Sequence, residues 1–142
     1  MNRSLFRTTI IENNLINLIY EYNLKESDEI RAKFENKFLK TNIKNEYYWE
    51  NFIKIYKKLD CFNWKDLFQI INDLNYRNEK NIIIMSDAFE DKILIKTQLM
   101  YLERLLDIAW YPSDDLYIID KNLSWCISLT HHDFIIISKV DC

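Results

Sequence analysis

The sequence of 142 residues contains no glycine and a single proline, Pro112. A chain of this length with average usage would hold about 10 glycines. Phosphate-cradling loops, the dinucleotide-binding turn, the nucleophile elbow and the EF-hand loop each need a residue without a Cβ atom. The sequence therefore excludes these glycine-dependent sites and disfavours most nucleotide-handling enzymes.

Cysteines and long apolar runs are also scarce. Cys61, Cys126 and Cys142 form an odd set without a short paired spacing, which favours a reducing compartment over a disulfide framework or a zinc knuckle. Apolar runs such as residues 82–85 and 134–137 fall far short of the ~20 residues that span a bilayer. The N-terminus lacks the apolar stretch of a signal peptide. We predict a soluble, cytoplasmic protein without a membrane partner.

Charge is distributed unevenly along the chain. Residues 1–80 carry 14 basic and 12 acidic side chains, a net charge of +2, whereas residues 81–142 carry 5 and 10, a net charge of −5. An acidic C-terminal half argues against direct binding of nucleic acid and favours a basic partner. With 49% hydrophobic and 29% charged residues, the chain is typical of globular proteins, and its length fits one domain, 1–142.

The first half of the chain has the periodicity of amphipathic helices. Apolar residues recur at three- and four-residue spacing in four stretches, and three of these have a capping residue at their start. The predicted helices are one from Ser4 to Tyr22, one from Ser27 to Phe38, one over residues 48–59, and one over residues 64–74 after Asn63.

The second half has the pattern of a sheet. Residues 82–85 predict a strand that is buried on both faces, and Asp87 with Glu90 predicts the start of a helix that reaches Ile108. Residues 116–120, 124–130 and 134–139 predict three strands joined by hairpins. We predict an α+β fold in which helices within about 1–80 pack on a mainly antiparallel β-meander within about 81–142.

This meander brings polar residues together at one rim of the sheet. The start of its first strand, the end of its second and the start of its third lie at the same rim. The residues at these three points are two histidines and three carboxylates: Asp114, Asp115, His131, His132 and Asp133.

Three interpretations of this rim remain open, beside an acid/base pair of His131 with Asp115 for which no nucleophile or oxyanion hole is evident. The first is a polar loop whose Asp and His side chains bond the turn backbone. The second is a partner-binding surface. The third is a small metal-dependent hydrolase, in which His131, His132 and Asp114 or Asp115 activate a water molecule. Adjacent residues in extended backbone point to opposite sides, which speaks against a shared ion. We predict no catalytic residue, no metal site and no cofactor.

Consecutive aromatic residues mark a second candidate surface. Tyr47, Tyr48 and Trp49 cannot all face one core, so at least one of them lies at the surface. Tyr and Trp are effective anchors of protein interfaces. We take Tyr48 and Trp49 as the second partner-binding candidate. The alternative is that these aromatic residues are structural, with an apolar contact at the start of a helix and a tryptophan in the core. Trp125, on an alternating strand, is predicted to lie in the core.

Two segments, residues 111–120 (YPSDDLYIID) and 125–133 (WCISLTHHD), resemble a known class of protein. They are similar to the C-terminal hairpins of small bacterial immunity proteins encoded beside polymorphic or contact-dependent growth-inhibition toxins. The resemblance implies a cytoplasmic, non-enzymatic inhibitor that binds the C-terminal domain of one cognate toxin. The resemblance assigns no catalytic residue to this chain. Because many such toxins are basic nucleases, an acidic rim would complement them.

The rim can be tested by reversing two charges. If Asp114 and Asp115 are exposed loop carboxylates, changing both to lysine leaves folding nearly intact and weakens toxin binding by at least ~10-fold. The expectation depends on the exposure of both side chains.

Overall fold

The computed structural model describes residues 6–40, 48–60, 64–74, 80–86, 93–110, 115–132 and 134–140. Its centre is a seven-stranded sheet in which every pair of neighbours is antiparallel. In chain order the strands are β1 (Ile19–Glu21), β2 (Lys57–Leu59), β3 (Asn81–Ser86), β4 (Ile95–Gln98), β5 (Leu116–Asp120), β6 (Trp125–Leu129) and β7 (Ile135–Lys139). In space their order is β1-β4-β3-β5-β6-β7-β2. The predicted meander is therefore confirmed as β5-β6-β7.

Four α-helices accompany the sheet in the described part of the chain. They are α1 (Phe6–Glu12), α2 (Leu24–Phe38), α3 (Trp64–Leu74) and α4 (Leu102–Ala109), with three short 3-10 helices at Ile16–Leu18, Tyr48–Glu50 and Leu99–Tyr101. The α+β class and the antiparallel sheet are as predicted. No helix in the described ranges is long and apolar enough to cross a membrane.

Helices cover both faces of the sheet. One apolar cluster joins α1, α3 and α4 to one face, and a second joins α2 to the other. Alternate residues of β3 divide between them: Ile82 and Ile84 enter the first cluster, Ile83 and Met85 the second. This confirms a strand buried on both faces. Trp125 is 3% exposed and belongs to the first cluster, so its predicted place in the core is also confirmed.

The start of α2 differs from the prediction. Asn23, not Ser27, is the N-cap: its side chain accepts a hydrogen bond from the Glu26 backbone at 2.8 Å, and the Glu26 carboxylate accepts one from the Asn23 backbone at 3.1 Å. This reciprocal pair is a capping box. Ser27 is buried, and its hydroxyl accepts a hydrogen bond from the backbone of Leu94 at 3.1 Å. The serine therefore ties α2 to the chain beside β4.

Three predicted helices are wrong in extent. The first ends at Glu12 and the chain continues into β1. Residues 48–59 form a 3-10 helix, an isolated bridge between Leu39 and Phe52, and strand β2. The helix predicted from Asp87 to Ile108 is instead strand β4 at residues 95–98, and α4 begins only at Leu102. The predicted start residues, Asp87 and Glu90, lie outside the described residues. In each case pairing with a distant strand overrides local periodicity.

As a result, the two halves do not separate into a helical and a sheet layer. Strands β1 and β2 come from the first 80 residues, and they lie at the two ends of the strand order. Each pairs with a strand from the second half, β1 with β4 and β2 with β7. The sheet therefore joins both halves of the sequence.

Among the residues that the structure describes, two adopt the left-handed conformation that glycine favours. They are Asn14, with φ of 60°, and Leu123, with φ of 56°. Asparagine tolerates this region, whereas leucine is strained there by about 1–2 kcal/mol. Leu123 lies in the turn between β5 and β6, and its side chain is 8% exposed within the second apolar cluster.

Replacing Leu123 with glycine is expected to lower the free energy of unfolding by about 1–2 kcal/mol. Glycine relieves the strain, but loss of a buried leucine side chain costs about 2–5 kcal/mol, so burial outweighs strain. Asn14→Gly is the matched control, because Asn14 is exposed and glycine removes only a conformational penalty. Urea denaturation of both variants measures the difference, and a stabilised Leu123→Gly variant would show that strain is the larger effect.

Candidate functional site

Asp115 and His131 meet at the rim that the meander topology predicts. Asp115 immediately precedes β5, and His131 follows β6. Oδ1 of Asp115 accepts the backbone N–H of His131 at 2.8 Å and lies 2.8 Å from His131 Nδ1. The carboxylate therefore fixes both the turn backbone and the imidazole, as the loop interpretation of the rim predicts. Asp114 and Asp133 lie outside the described residues.

Asp115 is not an exposed carboxylate. The residue is 8% exposed, and its carboxylate is bonded to both the backbone N–H and the imidazole of His131. The premise of the Asp114→Lys and Asp115→Lys charge reversal is therefore wrong for Asp115. A lysine there would bury an ammonium group against an imidazole and leave the His131 backbone N–H without its acceptor. Such a variant would perturb folding and would not report on binding alone.

The turn between β6 and β7 places the two histidine rings side by side. Thr130 organises it: its backbone N–H and its hydroxyl both donate to the carbonyl of Phe134, at 3.1 and 3.0 Å, and the hydroxyl accepts the His132 backbone N–H at 3.3 Å. The His131 and His132 ring centroids are 4.1 Å apart. The expectation that they point to opposite sides is wrong, because residues 131 and 132 form a turn and not an extended strand.

Trp49 and Phe134 join these histidines in one aromatic cluster. The Trp49 ring lies 5.7 Å from His132, 6.2 Å from His131 and 5.1 Å from Phe134, in edge-to-face contacts. His132 and Phe134 are nearly parallel, at 10° and 6.0 Å. His132 is exposed and the other three are half-buried. We call Trp49, His131, His132 and Phe134 the aromatic cluster.

The 3-10 helix Tyr48–Glu50 holds Trp49 in this position. The backbone N–H of Trp49 donates to the hydroxyl of the fully buried Tyr117 at 3.2 Å. The backbone N–H of Asn51 donates to the Tyr48 carbonyl at 2.9 Å. The two surfaces that the sequence presents as separate candidates, the rim and the Tyr48–Trp49 pair, therefore lie next to each other.

Tyr48 faces α2. Its hydroxyl donates to Glu35 Oε2 at 2.6 Å and accepts from Arg31 at 3.3 Å, and its ring packs against Phe34 and Tyr117. Burial, followed by the hydrogen bond to Glu35, raises the pKa of Tyr48 to about 12, against the opposing effect of Arg31. Tyr48 is therefore neutral at physiological pH and serves to anchor the 3-10 helix.

The residues at this site give little support to metal chemistry. Within the described ranges, no group of three or more His, Cys, Asp or Glu side chains is arranged to hold a metal ion. Nδ1 of His131 is engaged by Asp115. The hydrolase interpretation also invoked Asp114, which is outside the described residues.

Sequence reasoning missed two members of this surface, Phe134 and Lys58. The Lys58 ammonium lies 4.4 Å from the centroid of the Phe134 ring, a cation–π distance. Lys58 belongs to β2, which the sequence predicted as helix, so its proximity to the rim was not foreseen. Alternating β-branched residues at Ile53 and Ile55 are the signal that would have indicated extended backbone.

A family model described as "Family of unknown function (DUF6756)" matches residues 7–141. The matched range includes all seven strands and the whole aromatic cluster. No curated protein and no solved structure matches the chain.

Proposed function

We propose that this chain, which belongs to the family of unknown function (DUF6756), is an immunity protein. In this proposal it neutralises a cognate bacterial toxin domain by tight binding and without catalysis of its own. The observation that carries the proposal is the aromatic cluster: Trp49, His131, His132 and Phe134 form a continuous, partly exposed surface at one rim of the sheet. Tryptophan is one of the residue types that carry most of the binding energy of protein interfaces, and phenylalanine is enriched at their cores.

The cluster is held in place before any partner arrives. Asp115 fixes His131, Thr130 fixes the turn, and Tyr117 fixes the backbone of Trp49. Aromatic side chains have few rotatable bonds, the Asp115 carboxylate restricts the His131 ring, and the other two hydrogen bonds hold the backbone that carries Trp49 and His132. Less conformational entropy is lost on binding, so more of the contact energy appears as affinity.

Two sequence features support a toxin domain as the partner. Residues 111–133 resemble the hairpins of immunity proteins, and residues 81–142 carry a net charge of −5, which complements a basic, nuclease-type toxin. Because the Asp115 carboxylate is buried, the aromatic contacts are expected to supply most of the affinity. A cytoplasmic inhibitor also accords with the buried free thiol of Cys126.

Co-expression with the product of the neighbouring gene, which the proposal expects to be the toxin, tests the proposal. We expect the two proteins to co-elute in size-exclusion chromatography at micromolar concentration, and the chain to restore growth of cells that express the active toxin. An unrelated toxin domain of similar charge is the control. A correctly folded neighbouring toxin that neither co-elutes nor loses its toxicity would contradict the proposal.

A further inference from the structure

The outer edge of the sheet at β2 carries an unusual combination of side chains. Strand β2 is last in the strand order and, within the described ranges, pairs with β7 alone. The segment leading into it exposes three large apolar residues: Ile53 at 59%, Ile55 at 53% and Tyr56 at 57%. An edge strand presents a row of backbone N–H and C=O groups that can pair with a further strand. We call residues 53–58 the basic edge, for the lysines described below.

Hydrogen bonds attach the basic edge to the fold despite its exposure, and its last two residues, Lys57 and Lys58, belong to strand β2. The Ile53 backbone N–H donates to the Phe38 carbonyl at 2.8 Å, and the Tyr56 backbone N–H donates to the Ile137 carbonyl at 2.7 Å. The Ser138 hydroxyl donates to the Lys54 carbonyl at 2.7 Å. The inner side of the segment is thus bonded to the fold, so a strand docking on its outer side would meet a preformed template.

Lysines give this edge a positive charge. Lys54, Lys57 and Lys58 belong to it, and Lys139 on β7 lies 5.2 Å from the ring of Tyr56. The carboxylate of Asp60 lies 3.8 Å from the Lys58 ammonium, and with it residues 53–60 keep a net charge of +2. The edge is therefore basic in a protein whose net charge is −3.

A groove of about 160 Å³ opens beside the same edge. Its apolar lining comes from Phe38, Ile53 and Val140. Lys54 and Lys139 also line it, as does Lys37, whose ammonium donates to the backbone carbonyls of Asn122 at 3.3 Å and Leu123 at 3.1 Å. Apolar surface bordered by ammonium groups suits a side chain that has an aliphatic body and a carboxylate end. Glutamate has this character, and the volume is enough for one such side chain.

We propose that the basic edge binds an extended acidic segment of a protein partner by β-strand addition. Backbone pairing would supply affinity, and the lysines and the groove would select carboxylate side chains. Edge lysines often serve only to prevent edge-to-edge association, but three exposed apolar residues among them would weaken such protection. Two copies of this edge would repel each other, which disfavours a second copy of the chain as the occupant.

The basic edge meets the aromatic cluster at one contact, the Lys58 ammonium over the Phe134 ring, but the proposed strand addition does not depend on a toxin and its test needs none. The probe is a short peptide of alternating glutamate and valine, titrated into the isotope-labelled full chain and followed by amide chemical shifts. We expect saturable shifts confined to residues 53–59 and the facing part of β7, and weaker binding as salt is raised. A lysine–valine peptide of the same length is expected not to bind.

Paired variants test the role of charge. Lys57→Glu with Lys139→Glu is expected to weaken binding of the glutamate peptide by at least ~10-fold. Lys25→Glu with Arg104→Glu makes the same change in net charge on α2 and α4 and is expected to leave the affinity within about 2-fold. Lys57→Glu alone, at an exposed position, provides a milder version if the double variant is destabilised.

Four results would overturn the proposal. The first is that the glutamate peptide does not bind, and the second is that a glutamate–proline peptide, which cannot form a ladder of backbone hydrogen bonds, binds equally well. The third is that oligothymidine binds and the glutamate peptide does not. The fourth is a concentration-dependent dimer of the chain that the Lys57→Glu, Lys139→Glu variant abolishes. The first three remove strand addition or the acidic specificity, and the fourth assigns the edge to a second copy. None of them bears on binding through Trp49, so the two proposals fail separately.

Discussion

Replacing Asp120 with alanine is expected to lower the free energy of unfolding by about 3 kcal/mol. Asp120 ends β5 and is 4% exposed. Its Oδ1 accepts the backbone N–H groups of Ser124 at 2.6 Å and Trp125 at 3.1 Å, and its Oδ2 accepts the Ser124 hydroxyl. Alanine leaves these donors without their acceptor. One hydrogen bond to a charged group is worth about 1.5–3 kcal/mol, and the contributions of bonds that share one carboxylate do not simply add. Urea denaturation measures the change as a lower midpoint at unchanged slope.

Two further variants make this result specific to the carboxylate. Asp120→Asn keeps one acceptor oxygen and is expected to lose about half as much stability. Lys121→Ala removes an exposed side chain from the same turn and is expected to change stability by less than about 0.5 kcal/mol. If Asp120→Ala costs less than about 1 kcal/mol, the desolvation of the buried carboxylate has offset its hydrogen bonds.

Asp115 and Asp120 illustrate what sequence reasoning found and missed at the rims of the sheet. Strand alternation placed both at strand ends, and the meander topology brought Asp115 beside His131. Neither residue's burial was predicted, because a carboxylate at a strand end gives no sign of whether backbone donors surround it. Each is buried by the turn it organises, Asp115 by the turn after β6 and Asp120 by the turn before it.

Local pattern was sufficient wherever an element buries a continuous apolar face. The alternation in β6 and the apolar run in β3 predicted those strands, and the three- and four-residue spacing in α3 predicted that helix. The pattern failed for β1, β2 and β4, which are three to four residues long and are defined by partners far away in sequence. Isoleucine-rich segments fit a helical stripe or a strand equally well, and tertiary pairing decides between them.

The position of Trp49 could not be read from the sequence for the same reason. Its backbone bonds to the Tyr117 hydroxyl across a separation of 68 residues, and its ring reaches a turn more than 80 residues away. The two candidate surfaces therefore appeared as alternatives in the sequence and form one surface in the structure.

Trp49→Ala is expected to weaken binding of the cognate toxin domain by at least ~100-fold, which corresponds to about 2.8 kcal/mol. Trp49 contacts the three other members of the aromatic cluster and is the largest of them. Truncation removes its own contact area and the support of both histidine rings, and central tryptophans are characteristic hot spots of interfaces. Calorimetry or surface plasmon resonance with the purified toxin domain measures the loss.

Controls must separate loss of binding from loss of folding, because Trp49 also packs against the second apolar cluster. Tyr20→Ala is the matched aromatic control: Tyr20 is 49% exposed on β1, at the opposite edge of the sheet, and its removal is expected to leave affinity unchanged. His132→Ala deletes an exposed member of the cluster with little effect on stability and is expected to weaken binding by about 10-fold. If both Trp49→Ala and His132→Ala fold and bind like the unmodified chain, the toxin is held elsewhere and the aromatic cluster is only a structural support for the β6–β7 turn.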